Sequence, residues 1–308
     1  MTPKVSVLIT AYKHENFIGQ AITSAVVQRT TFDYEIVVGE DASPDRTLEV
    51  IRTFEQAHPG KIRVLDREKN LGARNFTETF SACRGEYIAI LEGDDYWTDV
   101  DKLERQVAAM QMHPDWALCF HSVQCVGADT SEPLSIQPWW TPPPVSTVED
   151  LLVRNYIPTC SVLLRRQLIT SFPDWYLKLA WGDWPLTIML ARRGKLGFLN
   201  RVMANYRVHP GGSHTGRSPE FRLRADIEMY CQLRNAFDDL DRRVISEQVT
   251  TRYISLIALA IDRRDFKTAV GLVSRALRSE SVSGVVSAFA RGLARRFERI
   301  WRARVDHP

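Results

Sequence analysis

Val5-Ser6-Val7-Leu8-Ile9-Thr10, then Ile18, Ile22, Ala25 and Val26 at helical spacing, then Tyr34-Glu35-Ile36-Val37-Val38-Gly39: these first 39 residues decide the fold. A short apolar run, a stretch with helical period and a second short run spell strand, helix, strand. The rhythm continues. Strand candidates follow at Ile62–Asp66, Tyr87–Leu91 and Ala117–His121. Between them Leu48, Ile51 and Phe54 share one helical face, and Ala73, Phe76 and Phe80 share another. Ser43-Pro44 reads as a helix opening, with Ser as N-cap and Pro in the first turn. Such repetition predicts an α/β fold, a mainly parallel central sheet flanked by helices on both faces. Ligands of such sheets bind in the loops at the carboxyl ends of the strands.

Beyond residue 125 the rhythm breaks. Residues 126–146 hold Pro138, Pro142, Pro143, Pro144 and the pair Trp139-Trp140, which predicts a long irregular loop that can close over a ligand or meet a partner. Periodic structure returns near Val148–Val153 and Asp183–Arg193, and from about residue 219 the chain reads as almost wholly helical. Ile254 to Leu277, with an Arg-Arg-Asp turn, predicts a helical hairpin.

Composition narrows the class. The chain has 308 residues, 44% hydrophobic and 25% charged, as in an ordinary globular protein. Its longest apolar run, Tyr253 to Ile261, is too short to span a bilayer. The first residues lack the charged-then-apolar layout of a signal peptide, so the expectation is a cytoplasmic protein. Five cysteines (83, 119, 125, 160 and 231) form no Cys-x-x-Cys pair, which suits reduced, buried thiols rather than a zinc or redox site. The net charge is +3, yet residues 281–308 carry six arginines against Glu298 and Asp306, a net +4, leaving −1 for the rest. A near-neutral body with a basic end excludes a general nucleic-acid binder.

The chemistry gathers where the strands end. Thr10-Ala11-Tyr12 closes the first strand, Glu40-Asp41-Ala42-Ser43-Pro44-Asp45 the second, and Glu92-Gly93-Asp94-Asp95 the fourth. Carboxylates this close repel unless a cation or a donor-rich ligand compensates. Oxygen ligands of this kind suit Mg²⁺ or Mn²⁺, which take their remaining ligands from diphosphate and water. Asp45 is read instead as a first-turn helix acid.

These segments, together with Asn70-Leu71-Gly72-Ala73-Arg74-Asn75 and Gly85-Glu86-Tyr87-Ile88-Ala89-Ile90-Leu91-Glu92, resemble the family-2 inverting glycosyltransferases over residues 3 to about 215. The resemblance implies a nucleotide-sugar-binding domain of GT-A type at 1–215, followed by a helical region at 216–308. It implies that Thr10 and Tyr12 line the base pocket, Tyr12 by stacking. It places Asp41 against the imide N–H of a uracil or thymine, and Arg74 near the nucleotide. Asp94 and Asp95 match the acidic metal motif, with Asp95 expected in direct contact with the ion and Asp94 on ribose or metal. Ala11 and Lys13 stand where the family has Pro and Asn, Glu40 precedes Asp41 in place of a second Asp, and Glu92 opens the metal motif where Asp is usual.

Inverting transfer also needs a base opposite the leaving diphosphate. Trp181-Gly182-Asp183-Trp184-Pro185-Leu186 resembles the family's acid-bearing segment, which makes Asp183 the expected base and Trp181 and Trp184 a sugar-stacking wall. The alternative for Asp183 is a plain helix N-cap. Tyr206-Arg207-Val208-His209-Pro210-Gly211-Gly212-Ser213 resembles a loop near the diphosphate, with His209 as a metal or phosphate ligand and Arg207 neutralising charge. The remaining histidines read as surface residues. In 282–305, Val282, Val285, Val286, Phe289, Leu293, Phe297, Ile300 and Trp301 recur at helical spacing among the arginines. That pattern fits an anchor on an inner membrane surface, or a helix packed on the body or on a second copy.

The expected reaction moves a sugar from a UDP- or TDP-sugar to a hydroxyl of a glycan or lipid-linked acceptor, in cell-surface polysaccharide synthesis. Two other classes stay open. A nucleotidyltransferase would carry an N-terminal Gly-rich loop, where this chain offers only Gly19. An inactive, transferase-like binding module has no need of Asp41, Asp94, Asp95 and Asp183 together.

Overall fold

The computed structural model describes residues 2–128, 132–209, 211–212 and 216–280. The chain divides into two compact units, the first running to Thr215 and the second starting at Gly216.

In the first unit, β1 (Val5–Ala11) lies parallel between β2 (Tyr34–Glu40) and β4 (Tyr87–Glu92), and β2 pairs in parallel with β3 (Ile62–Asp66). Both β1 and β2 are buried almost throughout, which is why they read as continuous apolar runs. Helices α1 (Ile18–Val26), α2 (Thr47–Ala57) and α3 (Ala73–Ala82) make the crossovers. Ile18, Ala21, Ile22 and Ala25 form the buried face of α1. Gly39 lets α3 approach β2: a Cβ there would lie 2.1 Å from Thr79 Oγ1, and Asn75 Nδ2 donates to Gly39 O at 2.8 Å. Helix α2 opens at Thr47, not at Ser43-Pro44. Ser43 Oγ instead accepts from Lys13 N (3.0 Å), and the Asp45 carboxylate accepts from Thr47 N (3.1 Å), so Asp45 caps the turn.

The second half of the sheet is mixed. After β5 (Tyr96–Trp97) and α4 (Lys102–Met112) comes β6 (Trp116–Gly127), longer than the expected Ala117–His121. Within the expected irregular segment, β7 (Pro133–Gln137) pairs with β6, and β8 (Val145–Ser146) pairs with a later strand. That strand, β10 (Lys195–Val208), follows α5 (Val148–Val153), β9 (Leu163–Arg165) and α6 (Asp183–Ala191). The sheet order is β3-β2-β1-β4-β9-β6-β10-β5, with β9 antiparallel to both neighbours and β6 parallel to β10. The carboxyl ends of β1, β2, β4 and β10 thus share one edge.

The second unit is helical: α7 (Pro219–Ala236), α8 (Arg242–Asp262) and α9 (Phe266–Ser279). Ser218, Asp241 and Asp265 each cap the following helix through a side-chain oxygen. Helix α8 is long and apolar enough, by length and composition alone, to cross a membrane. Its Arg252 pairs with Asp226 of α7 at 2.9 Å and stacks over Tyr230, contacts that suit a bundle helix.

Candidate active site

The site starts from a turn. Strand β4 ends at Glu92, Gly93 N donates to Thr10 O at 2.9 Å, and Asp95 N closes the turn on Glu92 O at 3.1 Å. The ends of β1 and β4 are thereby locked together. Gly93 has no room for a side chain, since a Cβ there would meet His14 Nδ1 at 2.7 Å. The turn sends its two aspartates in opposite directions. Asp94 keeps 18% of its side chain exposed, whereas Asp95 is 1% exposed.

Asp94 faces two imidazoles. Its Oδ2 lies 3.0 Å from His209 Nε2 and 3.8 Å from His14 Nε2. Burial pushes the Asp94 carboxyl up, but the His209 hydrogen bond and the His14 charge outweigh it and hold the group below the ordinary aspartate value. His209 is raised reciprocally, first by its bond to Asp94, while burial lowers His14 despite the nearby carboxylate. His14 and His121 correct the expectation of surface histidines. His121 sits on β6, wholly buried, with Nδ1 2.8 Å from Ser122 O. Its place inside an apolar strand run was a signal available in the sequence.

Asp95 faces inward. Its Oδ1 accepts from Arg207 N at 2.8 Å, and its carboxyl is buried beside the Cys160 thiol. Ligand atoms of Asp95, Glu92 and Cys160 lie within 4.8 Å of one another. Burial, then the charges of Asp94 and Glu92, raise Asp95 well above the usual range. Burial likewise lifts Glu92 to about 8, helped by Asp94 and Asp183. Asp95, expected in direct contact with an ion, is with Glu92 and Cys160 one of three groups that could hold one; it also ties the motif to β10, while Asp94 is the acid on the open side.

Arg207 is a clamp rather than an open diphosphate ligand. Its guanidinium donates to Asp94 O and to Gln20 Oε1, and it stacks between Phe17 and Tyr96 at 5.0 and 4.5 Å. Desolvation explains why it is buried only with this many partners.

Asp41 is 4% exposed, and its two oxygens accept from Leu71 N (2.7 Å) and Gly72 N (3.0 Å). Asn70 Nδ2 adds a bond to Asp41 O at 3.2 Å. Asp41 therefore shapes the loop that opens α3, with Arg74 exposed in its first turn. Each carboxylate oxygen retains a second lone pair for a base N–H. Thr10 is half-buried, and Tyr12 is exposed with Lys13 Nζ 5.1 Å from its ring. Lys13 and Ala42, which follow the ends of β1 and β2, have φ of 59° and 55°, a costly conformation for residues with a Cβ. Such strain collects at working sites.

Asp183 is the first residue of α6, and its carboxylate makes no cap. It accepts from Asn155 Nδ2 at 3.1 Å, and its charge reaches Glu92 and Tyr176. Tyr176 Oη donates to Gly182 O at 3.0 Å and fixes the start of the helix. The tryptophans part company. Trp181 is half-buried, but Trp184 is buried with Nε1 donating to Leu151 O at 2.9 Å, so it packs the core instead of forming a sugar wall. Trp139 and Trp140 border an open hollow of about 560 Å³ beside Asn200, Arg201 and Val202 of β10. At about 3.3 Å per residue, these three lie roughly 16 to 23 Å along the strand from Arg207. They do not join the acidic turn.

The family model described as "Glycosyl transferase family 2" matches residues 6–170. An uncharacterized protein of Mycobacterium tuberculosis is 37% identical over 214 residues, which cover 68% of this chain and 60% of that protein. A Bacillus subtilis protein named "Putative teichuronic acid biosynthesis glycosyltransferase TuaG" is 26% identical over 212 residues, 67% of this chain and 79% of its own. Staphylococcus aureus TarS 1-349, solved with UDP-GlcNAc, superposes with a TM-score of 0.61 at 18% identity, covering 82% of this chain and 73% of its own. The mannosyltransferase PcManGT of Pyrobaculum calidifontis, solved with GDP-Man and Mn²⁺, gives 0.59 at 15% identity over 98% of this chain and 83% of its own. At such identities the likeness is one of fold.

Proposed function

The chain belongs to glycosyl transferase family 2, and on that premise we propose that it transfers a sugar from a nucleoside-diphosphate sugar to a hydroxyl of a glycan or lipid-linked acceptor in cell-surface polysaccharide synthesis, with inversion. One observation carries the reading. Asp94 and His209, from the ends of β4 and β10, present a carboxylate and an imidazole 3.0 Å apart.

The donor set fits a divalent cation. An imidazole beside a carboxylate favours a first-row ion such as Mn²⁺ over Mg²⁺, which keeps to oxygen ligands. When bound, that ion supplies charge stabilisation to the departing diphosphate. The residues do the rest. Tyr12 stacks on the base and Asp41 accepts its imide N–H, which favours UDP- or TDP-sugars. Asp183, oriented by Asn155, takes the proton of the acceptor hydroxyl. Arg207 holds the acidic turn so that Asp94 stays in register with His209. Residues 1–215 form the catalytic domain in this reading. The basic segment 281–308, read as a membrane anchor on the cytoplasmic side, lies outside the described residues.

A thermal-shift series with UDP, TDP, GDP, ADP and CDP, each with and without Mn²⁺, tests the reading. Stabilisation by UDP or TDP only with metal is the expected result. No shift with any nucleotide would reduce the acidic turn to a structural loop.

A further inference from the structure

Helix α9 carries an apolar face that is exposed among the described residues. Ala269, Leu272 and Ala276 are buried, and the helix packs on α8. Phe266, Val270, Val273 and Leu277 are instead 63, 69, 36 and 40% exposed. Their spacing (i, i+4, i+7, i+11) makes one continuous apolar stripe along the helix. Scattered exposed apolar residues need no explanation, but four in register on one helix do.

The charge on this helix has one sign. Lys267, Arg275 and Arg278 are exposed on α9, and residues 266–279 contain no Asp or Glu. None of these three cations forms an ion pair among the described residues. Of the acids that flank the helix in sequence, Asp265 accepts from Thr268 N at 3.0 Å and Glu280 pairs with Arg234 at 2.8 Å. A Cβ added at Gly271, which lies towards the Lys267 and Arg278 side, would meet nothing within 4 Å, so that flank is open. The chain then continues from Glu280 into 281–308, whose sequence carries a net +4 and its own apolar period.

We propose that the Phe266-Val270-Val273-Leu277 face of α9 docks on an anionic lipid surface, lying in the interface with its apolar stripe inward and Lys267 and Arg278 beside it against the headgroups. A stripe flanked along its open side by Lys267 and Arg278, on a helix without an acid, suits a negatively charged bilayer, where apolar burial and electrostatic attraction add. A second copy of the chain fits less well, because pairing two such faces brings like charges together. The inference is independent of the transfer chemistry and would place a lipid-linked acceptor near the enzyme.

The test is co-sedimentation of the full chain with vesicles of phosphatidylcholine, with and without phosphatidylglycerol. Binding to the anionic vesicles alone, weakened by salt, is expected. Phe266→Gln/Val270→Gln removes apolar surface at the two most exposed positions and should lower partitioning by about tenfold or more. Lys267→Gln/Arg275→Gln/Arg278→Gln should flatten the salt dependence. Circular dichroism and an unchanged thermal shift with UDP and Mn²⁺ show that both variants keep the fold and the nucleotide site. Wild-type indifference to anionic vesicles, or an unchanged partition of the double Gln variant, would overturn the proposal. So would light scattering that shows a wild-type dimer and a monomeric double variant, since the face would then belong to a second copy.

Discussion

The two halves of the sheet are built by opposite rules. In β3-β2-β1-β4 every pairing is parallel, a helix follows each of β1, β2 and β3, and the central strands are buried on both faces. In β9-β6-β10-β5 parallel and antiparallel pairs alternate, and β10 crosses register shifts with Asn200, Arg201 and Val202 exposed or half-exposed. The regular half supplies Thr10, Asp41 and Asp94. The irregular half supplies Arg207 and His209, and Asp183 enters from the helix just before β10. The site therefore exists only where the halves meet, and its weakest links should be those that cross the seam.

The largest break should come from Asp183→Asn, which keeps shape and the Asn155 contact but removes the proton acceptor. Transfer should fall by roughly 10²–10⁴-fold while Mn²⁺-dependent UDP affinity stays intact. Rate and calorimetry on the same sample separate the two, and near-normal turnover would move the base elsewhere. Next comes the contrast within the acidic turn. Asp94→Asn should abolish Mn²⁺-dependent nucleotide binding, because it removes the carboxylate on the open side. Asp95→Asn retains an oxygen for Arg207 N and lies away from the open side, so metal affinity should change far less. Equal losses in both variants would erase the division of labour between the two aspartates.

The regular half was legible because its signals are local. Strand-helix-strand periodicity needs only neighbouring residues, and β1 to β4 fall within a residue of their expected bounds. Strand β10 was not legible. Its Leu199–Val202 bulge interrupts the alternation that marks a strand, and its pairings to β5, β6 and β8 are long-range. In the site, the acids could be read from type and spacing, but their directions could not. Nothing in Gly93-Asp94-Asp95 says which carboxylate turns to β10, because the answer lies in Arg207 N, more than a hundred residues away. His14 escaped for a related reason: its partner Asp94 comes from another strand end. Trp184 looked like a sugar platform by type, and only the Leu151 carbonyl reveals a core residue.

A medium effect should appear at the seam with pH. His209, raised by Asp94, stabilises the metal-free fold below its unfolded value near 6.5, and that contribution is lost as pH rises through its higher folded value. Metal binding needs the neutral ring and runs the other way. His209→Gln should therefore cost more metal-free stability at pH 5.5 than at pH 8, and weaken Mn²⁺ binding about 10–100-fold at pH 8. Melting curves and calorimetry at the two pH values check both signs. Asp94→Asn should erase the pH contrast.

A smaller effect belongs to Lys102, wholly buried on α4 with Nζ 2.6 Å from Gln106 Oε1 and 4.0 Å over the Trp97 ring. Burial brings it down to about 7. Between that value and about 10.4 the unfolded chain binds a proton the folded chain does not, so this group makes stability rise with pH over that window. Lys102→Met should flatten the rise. It leaves Gln106 Oε1 without its donor, yet Gln106 Nε2 keeps its bond to Ser161 O at 2.8 Å. The Thr159–Ser161 turn beneath Glu92 and Asp95 should hold, and UDP–Mn²⁺ affinity should barely move. Chemical denaturation at pH 7 and pH 9.5 reads the slope. A large loss of affinity would show that the seam is tuned from the core as well as from the strand ends.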